Sequence, residues 1–183
     1  QVLEETGVQF PSQIALDIFS EHGAEVDPDT QVVKIPRKIV KDAMASVPRT
    51  FVMGARDPAF DLHLEQGVSF FTTDGCGYET IDIKTGERRA STKEDVGMMA
   101  RITDYLSSVA FYWPMVSAQD RGVSSPLHEL DATWSNSIKH IQSETLMGAR
   151  PAEFAVEMAT VLRGSADEVR RRPPFSLTIC TIA

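Results

Sequence analysis

The feature that most restricts what this chain can fold into is its final stretch, Phe175-Ser176-Leu177-Thr178-Ile179-Cys180-Thr181-Ile182-Ala183, a nearly continuous apolar and β-branched run. Such a run has no polar face to give to water. It reads as a strand buried on both faces, the situation of a parallel sheet covered by helices. The stretch from Ser91 onward supplies the rhythm that such a sheet needs. Thr92-Lys93-Glu94-Asp95 opens a helix with a hydroxyl cap and an acid at the third helical position, and Met98, Ile102 and Leu106 continue it at helical spacing. Val109 to Met115 reads as a buried strand, Leu127 to Ser137 as a helix and Ser137 to Gln142 as a strand. Pro151 to Arg163 reads as a helix with Pro at its first position and Gly164 as its cap, before the final strand from Phe175 to Ile182. Helix and strand alternating at this spacing form βα units around a parallel sheet, so the expected fold class is α/β. Periodicity leaves open whether the sheet stays open or closes into a barrel.

The rest of the chain has a different texture. Residues 1–49 read as a small α+β region: an amphipathic helix over 11–22 stopped by Gly23, an alternating strand over 30–36 entered through Asp27-Pro28-Asp29, and a helix from Arg37 to Ser46 ended by Pro48. Residues 50–90 read as short strands near 50–53, 60–64, 68–72 and 79–83, with a hairpin around Asp82 to Arg88. Residues 91–183 hold the βα units. Val2 to Val8 reads as the last turn of a helix capped by Gly7, and the final strand stops inside a sheet, so both ends look cut and the chain is expected to be part of a longer protein.

Charge narrows the function classes. Lys and Arg total 18 against 26 Asp and Glu, a net charge of −8, which repels nucleic-acid phosphate and anionic lipid and suits a cationic or neutral small ligand. Neither a nucleic-acid partner nor a membrane is expected. Arg170-Arg171-Arg172 follows Asp167 and Glu168 and reads as a solvated helix end rather than a phosphate site. No run of 18 apolar residues offers a membrane span, the cytoplasm is the expected location, and Cys76 and Cys180 read as free thiols. The chain has no Gly-x-Gly-x-x-Gly, Walker loop, Gly-x-Ser-x-Gly, His-Glu-x-x-His or Cys-x-x-Cys, and four dispersed histidines do not make a metal site by spacing.

In a parallel α/β fold, sites collect where strands turn toward the next helix. Three segments qualify. In Thr72 to Glu79, two glycines allow close backbone approach and Tyr78 with Glu79 offers an aromatic face beside a carboxylate, unless this is simply a turn with a surface acid. In Phe111-Tyr112-Trp113, three consecutive aromatics cannot all share one face of a strand, and Asp120 lies just beyond as a site acid or a helix cap. In the third segment His140 and Gln142 share one strand face, with Lys139 and Ile141 on the other; a buried polar pair needs partners, either a ligand or neighbouring hydroxyls. Cys76 on its glycine turn has no nameable partner base.

Taken in order, Val2-Leu3-Glu4-Glu5-Thr6-Gly7-Val8, Gly23-Ala24-Glu25-Val26-Asp27, Val33-Lys34-Ile35-Pro36, Val47-Pro48-Arg49, Ala55-Arg56-Asp57-Pro58, Thr85-Gly86-Glu87-Arg88-Arg89 with Ser91-Thr92 and Asp95, and Arg172-Pro173-Pro174 resemble the trimethylamine methyltransferase family over nearly the whole chain. The resemblance implies the N-terminal portion of a TIM-type (β/α)8 barrel preceded by a small α+β region. It also implies transfer of a methyl group from trimethylamine or a quaternary amine such as glycine betaine to the cobalt of a corrinoid (cobalamin) carried by a separate protein, and a homo-oligomer in full-length form. Some members carry a pyrrolysine in the later barrel, and the implied catalytic groups lie beyond this chain. A quaternary ammonium has no N–H to donate and is held by aromatic faces and carboxylates. Tyr78, Glu79, Tyr112, Trp113, Asp120, His140 and Gln142 are the expected substrate-binding residues. The competing reading is a ligand-binding protein of the same fold without turnover.

Overall fold

The computed structural model describes residues 1–75 and 77–179, so Cys76 and the end of the C-terminal run lie outside the described residues. The chain divides into two compact units, residues 1–49 and the stretch from Thr50 onward.

The first unit is a three-stranded antiparallel sheet with helices. Helix α1 (Val2–Glu5) leads through Gly7, at φ 85°, into β1 (Val8–Gln9), and α2 (Gln13–Glu21) is followed by β2 (Glu25–Asp27), β3 (Val32–Lys34) and α3 (Arg37–Ser46). Strand β3 is central, with Val33 facing Val8 on one side and Val26 on the other. A side chain at Gly7 would press on the Val33 carbonyl at 2.8 Å, which explains glycine there beyond its positive φ. The core is Leu16, Val33 and Ile35, joined by Phe10 and Phe19, whose rings lie 4.7 Å apart.

The second unit is α/β. Its antiparallel pairs are β4 (Phe51–Met53) with β5 (Leu62–Leu64) and β6 (Glu79–Ile81) with β7 (Arg88–Ala90). The parallel part is built from the chain at Thr72 and Gly77, segment 111–116, β8 (Ile141–Ser143) and β9 (Phe175–Leu177). Thr72 pairs with Phe111, Gly77 with Val116, Tyr112 with Ile141, and β8 with β9, all parallel. Neighbours in space are therefore neighbours in chain order. Between them run α4 (Lys93–Tyr105), α5 (Ser125–Trp134), α6 (Ala149–Arg163) and α7 (Ala166–Arg171).

Helices cover one face. Tyr112, Val116 and Ala118 pack on Val96 and Ala100 of α4 and Ala132 of α5. Ile141 packs with Leu130 and Trp134 of α5, Ala155 and Ala159 of α6 and Val169 of α7, and Phe175 meets Trp134 edge-on at 5.7 Å. Small residues bring the helices close: a side chain at Gly97 would lie 2.9 Å from the Asn136 amide nitrogen just past α5. Among the described residues no helix is long and apolar enough to cross a membrane.

Several boundaries differ from the sequence reading for physical reasons. Helix α6 starts at Ala149 rather than Pro151, after Gly148 at φ 90°, and α5 begins at Ser125 with Pro126 in its first turn and ends at Trp134. The strand expected over 137–142 starts only at Ile141. Ser137 and Ile138 are drawn off by the Asp104 carboxylate, which accepts from the Ser137 hydroxyl at 2.9 Å and the Ile138 N–H at 2.8 Å. The strand expected over 109–115 is reduced to isolated pairings around Pro114, which has no N–H to donate. No ladder forms over 68–72, and among the described residues of the strand expected over 175–182 only Phe175–Leu177 form β9, with 180–182 outside the described residues.

The polar joints carry equal weight. Asp95 completes a capping box with Thr92 and takes two hydrogen bonds from Arg89 at 2.7 and 2.8 Å. Those bonds outweigh the desolvation that pushes its carboxyl up and hold it near 2. Arg172 departs from the solvated reading of the arginine cluster. Arg170 and Arg171 pair with Asp167 and Glu168 on α7, but Arg172 grips Asp61 through two bonds at 2.7 and 2.5 Å and ties β9 to the end of the β4–β5 pair.

Lys139 is 3% exposed, and its ammonium donates to the carbonyls of Thr103, Leu106 and Val109 at 2.7, 2.8 and 2.7 Å. It thus gathers carbonyls at and just past the end of α4, where the helix dipole favours a cation. Burial lowers its pKa, opposed by the nearby Asp104 charge. Lys139→Met should strip those carbonyls of their shared donor and cost about 3 kcal/mol in urea-induced unfolding. A loss under about 0.5 kcal/mol would remove the joint from the account of stability.

Candidate functional site

The parallel segments have a second face, turned away from the helices, and it is defined by contacts among Phe111, His140, Gln142, Ser176 and Thr178. The Phe111 ring meets His140 edge-on at 6.3 Å. His140 Nδ1 lies 2.9 Å from the Gly54 carbonyl and its Nε2 lies 3.0 Å from the Ser176 hydroxyl. The Gln142 amide donates to the Thr178 hydroxyl. A carbonyl can only accept, so Nδ1 carries the proton and Nε2 accepts from Ser176. That assigns the neutral Nδ1–H tautomer.

Burial agrees with this assignment: desolvation, against the Gly54 and Pro173 carbonyls, pushes the His140 pKa down to about 4. The β4–β5 pair closes the end of the segments where Gly54 meets His140, and the Asp57 N–H bonds the Ile138 carbonyl there. Phe51, Met53, Leu64, Val68 and Phe70 line a cavity of about 470 Å³ with Phe111, Gln142 and Ser176 on this face.

Trp113 follows Phe111 by two residues and so falls on the same side. Its backbone N–H donates to the Thr73 hydroxyl at 3.0 Å, while its indole N–H is buried without a partner among the described residues. A buried indole donor usually finds one.

The remaining sequence-predicted residues are elsewhere. Tyr112 is fully buried among α4 and α5 on the opposite face, its hydroxyl 3.4 Å from the Val96 carbonyl, and desolvation raises its pKa. Tyr78 is 71% exposed, and Glu79 on β6 pairs with Arg88 at 2.8 Å. Asp120 accepts the Lys93 N–H at 2.8 Å and so finishes the first turn of α4. Gly75 and Gly77, expected to admit a ligand, instead admit the neighbouring chain: side chains there would lie 2.9 and 3.1 Å from the Met115 carbonyl.

Sequence reasoning passed over three groups near these strand ends. Ser176 and Thr178 alternate inside the apolar run, and that period of two was the available signal. Glu129 lies on the buried side of α5 between Leu127 and Leu130, a position where an acid is out of place. Among the described residues no three His, Cys, Asp or Glu side chains converge on a common metal position.

Fold and face together define an α/β protein whose parallel segments carry a neutral, partly aromatic face turned away from the helices. The chain belongs to the trimethylamine methyltransferase family, whose profile, described as trimethylamine methyltransferase (MTTB), matches residues 1–182. It is 38% identical over 181 residues to a trimethylamine methyltransferase of Desulfitobacterium hafniense, covering 98% of this chain and 36% of that protein. The trimethylamine methyltransferase of Methanosarcina barkeri is 28% identical over 186 residues, covering 98% of this chain and 37% of that protein. A glycine betaine methyltransferase of Desulfitobacterium hafniense is 26% identical over 177 residues, covering 94% of this chain and 36% of its own length. The chain thus spans little more than a third of the length of the curated relatives it matches.

The neutral histidine makes stability depend on pH. With a folded value about 4 against 6.5 unfolded, the unfolded chain binds more protons between those limits. Stability is complete above about 6.5 and should fall by about 3 kcal/mol as the pH drops to 4. Urea titrations across this window should show that slope, and His140→Gln should flatten it. An unchanged slope in the variant would exclude His140 as its source.

Proposed function

We propose that this chain is the first portion of a TIM-type (β/α)8 barrel, and that the whole protein moves a methyl group from a tertiary or quaternary methylamine, trimethylamine or a glycine betaine-like compound, to the cobalt of a separate corrinoid protein. The observation that carries the barrel reading is the chain-ordered parallel pairing of the chain at Thr72 and Gly77, segment 111–116, β8 and β9, each successive pair joined through helix. Family membership supports the chemistry.

The corrinoid, carried by its own protein, supplies the cobalt nucleophile that accepts the methyl group. The residues of this chain bind, orient and desolvate the cation. Phe111, Trp113, His140, Gln142, Ser176 and Thr178 are all uncharged when His140 is neutral, so nothing among them repels an ammonium. An aromatic wall attracts a quaternary ammonium through the electron-rich face of its rings. Of the residues expected from sequence, this reading keeps Trp113, His140 and Gln142 at the substrate. It gives Tyr112 to the helix-facing core and Asp120 to the start of α4.

The full-length protein with its reduced corrinoid partner should demethylate at least one member of a panel containing trimethylamine and glycine betaine, followed by the corrinoid spectrum and by loss of the amine. A panel without turnover would reject the reading for those substrates. Trp113→Ala should weaken binding of the accepted amine roughly tenfold in calorimetry. Unchanged affinity would remove the indole from the site.

A further inference from the structure

Ser176 lines the cavity beside Phe111 and Gln142, and the fully buried His140 stands behind it. The hydrogen bonds between them run in one direction. The Gly54 carbonyl can only accept, so it takes the Nδ1 proton of His140 at 2.9 Å, and Nε2 is left as an acceptor 3.0 Å from the Ser176 hydroxyl. The Ser176 proton is therefore committed to His140. Only the lone pairs of its oxygen remain for whatever stands in the cavity.

A free serine hydroxyl rotates to suit either a donor or an acceptor. Ser176 is not free, because turning its proton toward a ligand would leave the buried Nε2 without a partner. Serine and histidine here also have the connectivity of a nucleophile and its base. Burial, however, pushes His140 down to about 4, too weakly basic to draw the proton off a hydroxyl at neutral pH. The imidazole orients the hydroxyl rather than activating it.

We propose that His140 is a positioning residue that makes Ser176 an obligate hydrogen-bond acceptor, and that Ser176 takes the N–H of a protonated tertiary methylamine. The inference rests on the methylamine reading above and selects a tertiary over a quaternary ammonium. At neutral pH a tertiary amine is protonated and carries one N–H; a quaternary ammonium carries none. A hydrogen bond from a charged donor is among the stronger ones. The proton also suits the transfer. The C–N bond breaks with its electron pair staying on nitrogen, the methyl group passes to the cobalt, and the amine departs with its proton as a neutral secondary amine. The free base would have to leave as an amide anion.

The test is calorimetric binding of trimethylammonium and tetramethylammonium chlorides to the full-length protein at neutral pH. The two ions carry the same charge and differ by N–H against N–CH₃. The unaltered protein should favour trimethylammonium roughly tenfold. Ser176→Ala should bring the ratio near one by weakening trimethylammonium alone. His140→Asn keeps an amide donor for the Gly54 carbonyl and lacks the acceptor at Nε2, so it should shrink the ratio as well; a merely structural role would lower both ions alike. Far-ultraviolet circular dichroism checks that the variants fold, and Ser176→Ala decides alone if His140→Asn does not. An unaltered protein that binds both ions equally, or a ratio that survives Ser176→Ala, overturns the acceptor role and leaves the methylamine reading standing. A ratio lost in Ser176→Ala but kept in a folded His140→Asn overturns the positioning role. If neither ion binds, the methylamine reading fails at this site and the proposal falls with it.

Discussion

A parallel strand leaves no face for water, and the second unit is organised around that constraint. One face of the segments is closed by Tyr112, Ile141 and Phe175 packing into α4, α5 and α6, where alanines and Gly97 let the helices come close. The other face carries the polar side chains of β8 and β9, and burying them requires a partner for each. His140 has Gly54 and Ser176, and Gln142 has Thr178. These neutral pairs let polar side chains be buried there without a net charge.

The charged groups near the segments are kept off that wall. Lys139 turns to the opposite side and ends in the carbonyls after α4. Arg172 is held by Asp61, and Arg163 donates to the Ala55 carbonyl at 2.6 Å, both around the chain leaving β4. Basic side chains thus gather at the end closed by the β4–β5 pair, while the buried Glu129 carboxylate stands at the other end.

The family relationship and the geometry inform different levels. The match over residues 1–182 names the family. The geometry distinguishes residues with the same sequence credentials. Tyr112 and Trp113 are adjacent aromatics, yet one is locked against α4 and the other keeps an indole N–H with no partner among the described residues. Asp120 and Glu129 are both acids near the start of a helix. The first finishes the N-terminal turn of α4, and the second is buried with three neutral donors.

The sequence by itself determined the α/β rhythm, the Thr92 capping box, the α+β character of the first unit, the Gly164 cap and the sharing of one strand face by His140 and Gln142. All of these rest on local periodicity or on contacts within a few residues, and local propensity records those directly. Tertiary structure alone decided that Gly75 and Gly77 approach Met115, that Arg172 leaves its cluster for Asp61, and that Lys139 and Glu129 are buried charges with assigned partners. In each case the partner lies far along the chain or on another element. Burial and hydrogen-bond completion become specific only when the segments are brought together, so no spacing within the sequence could announce them.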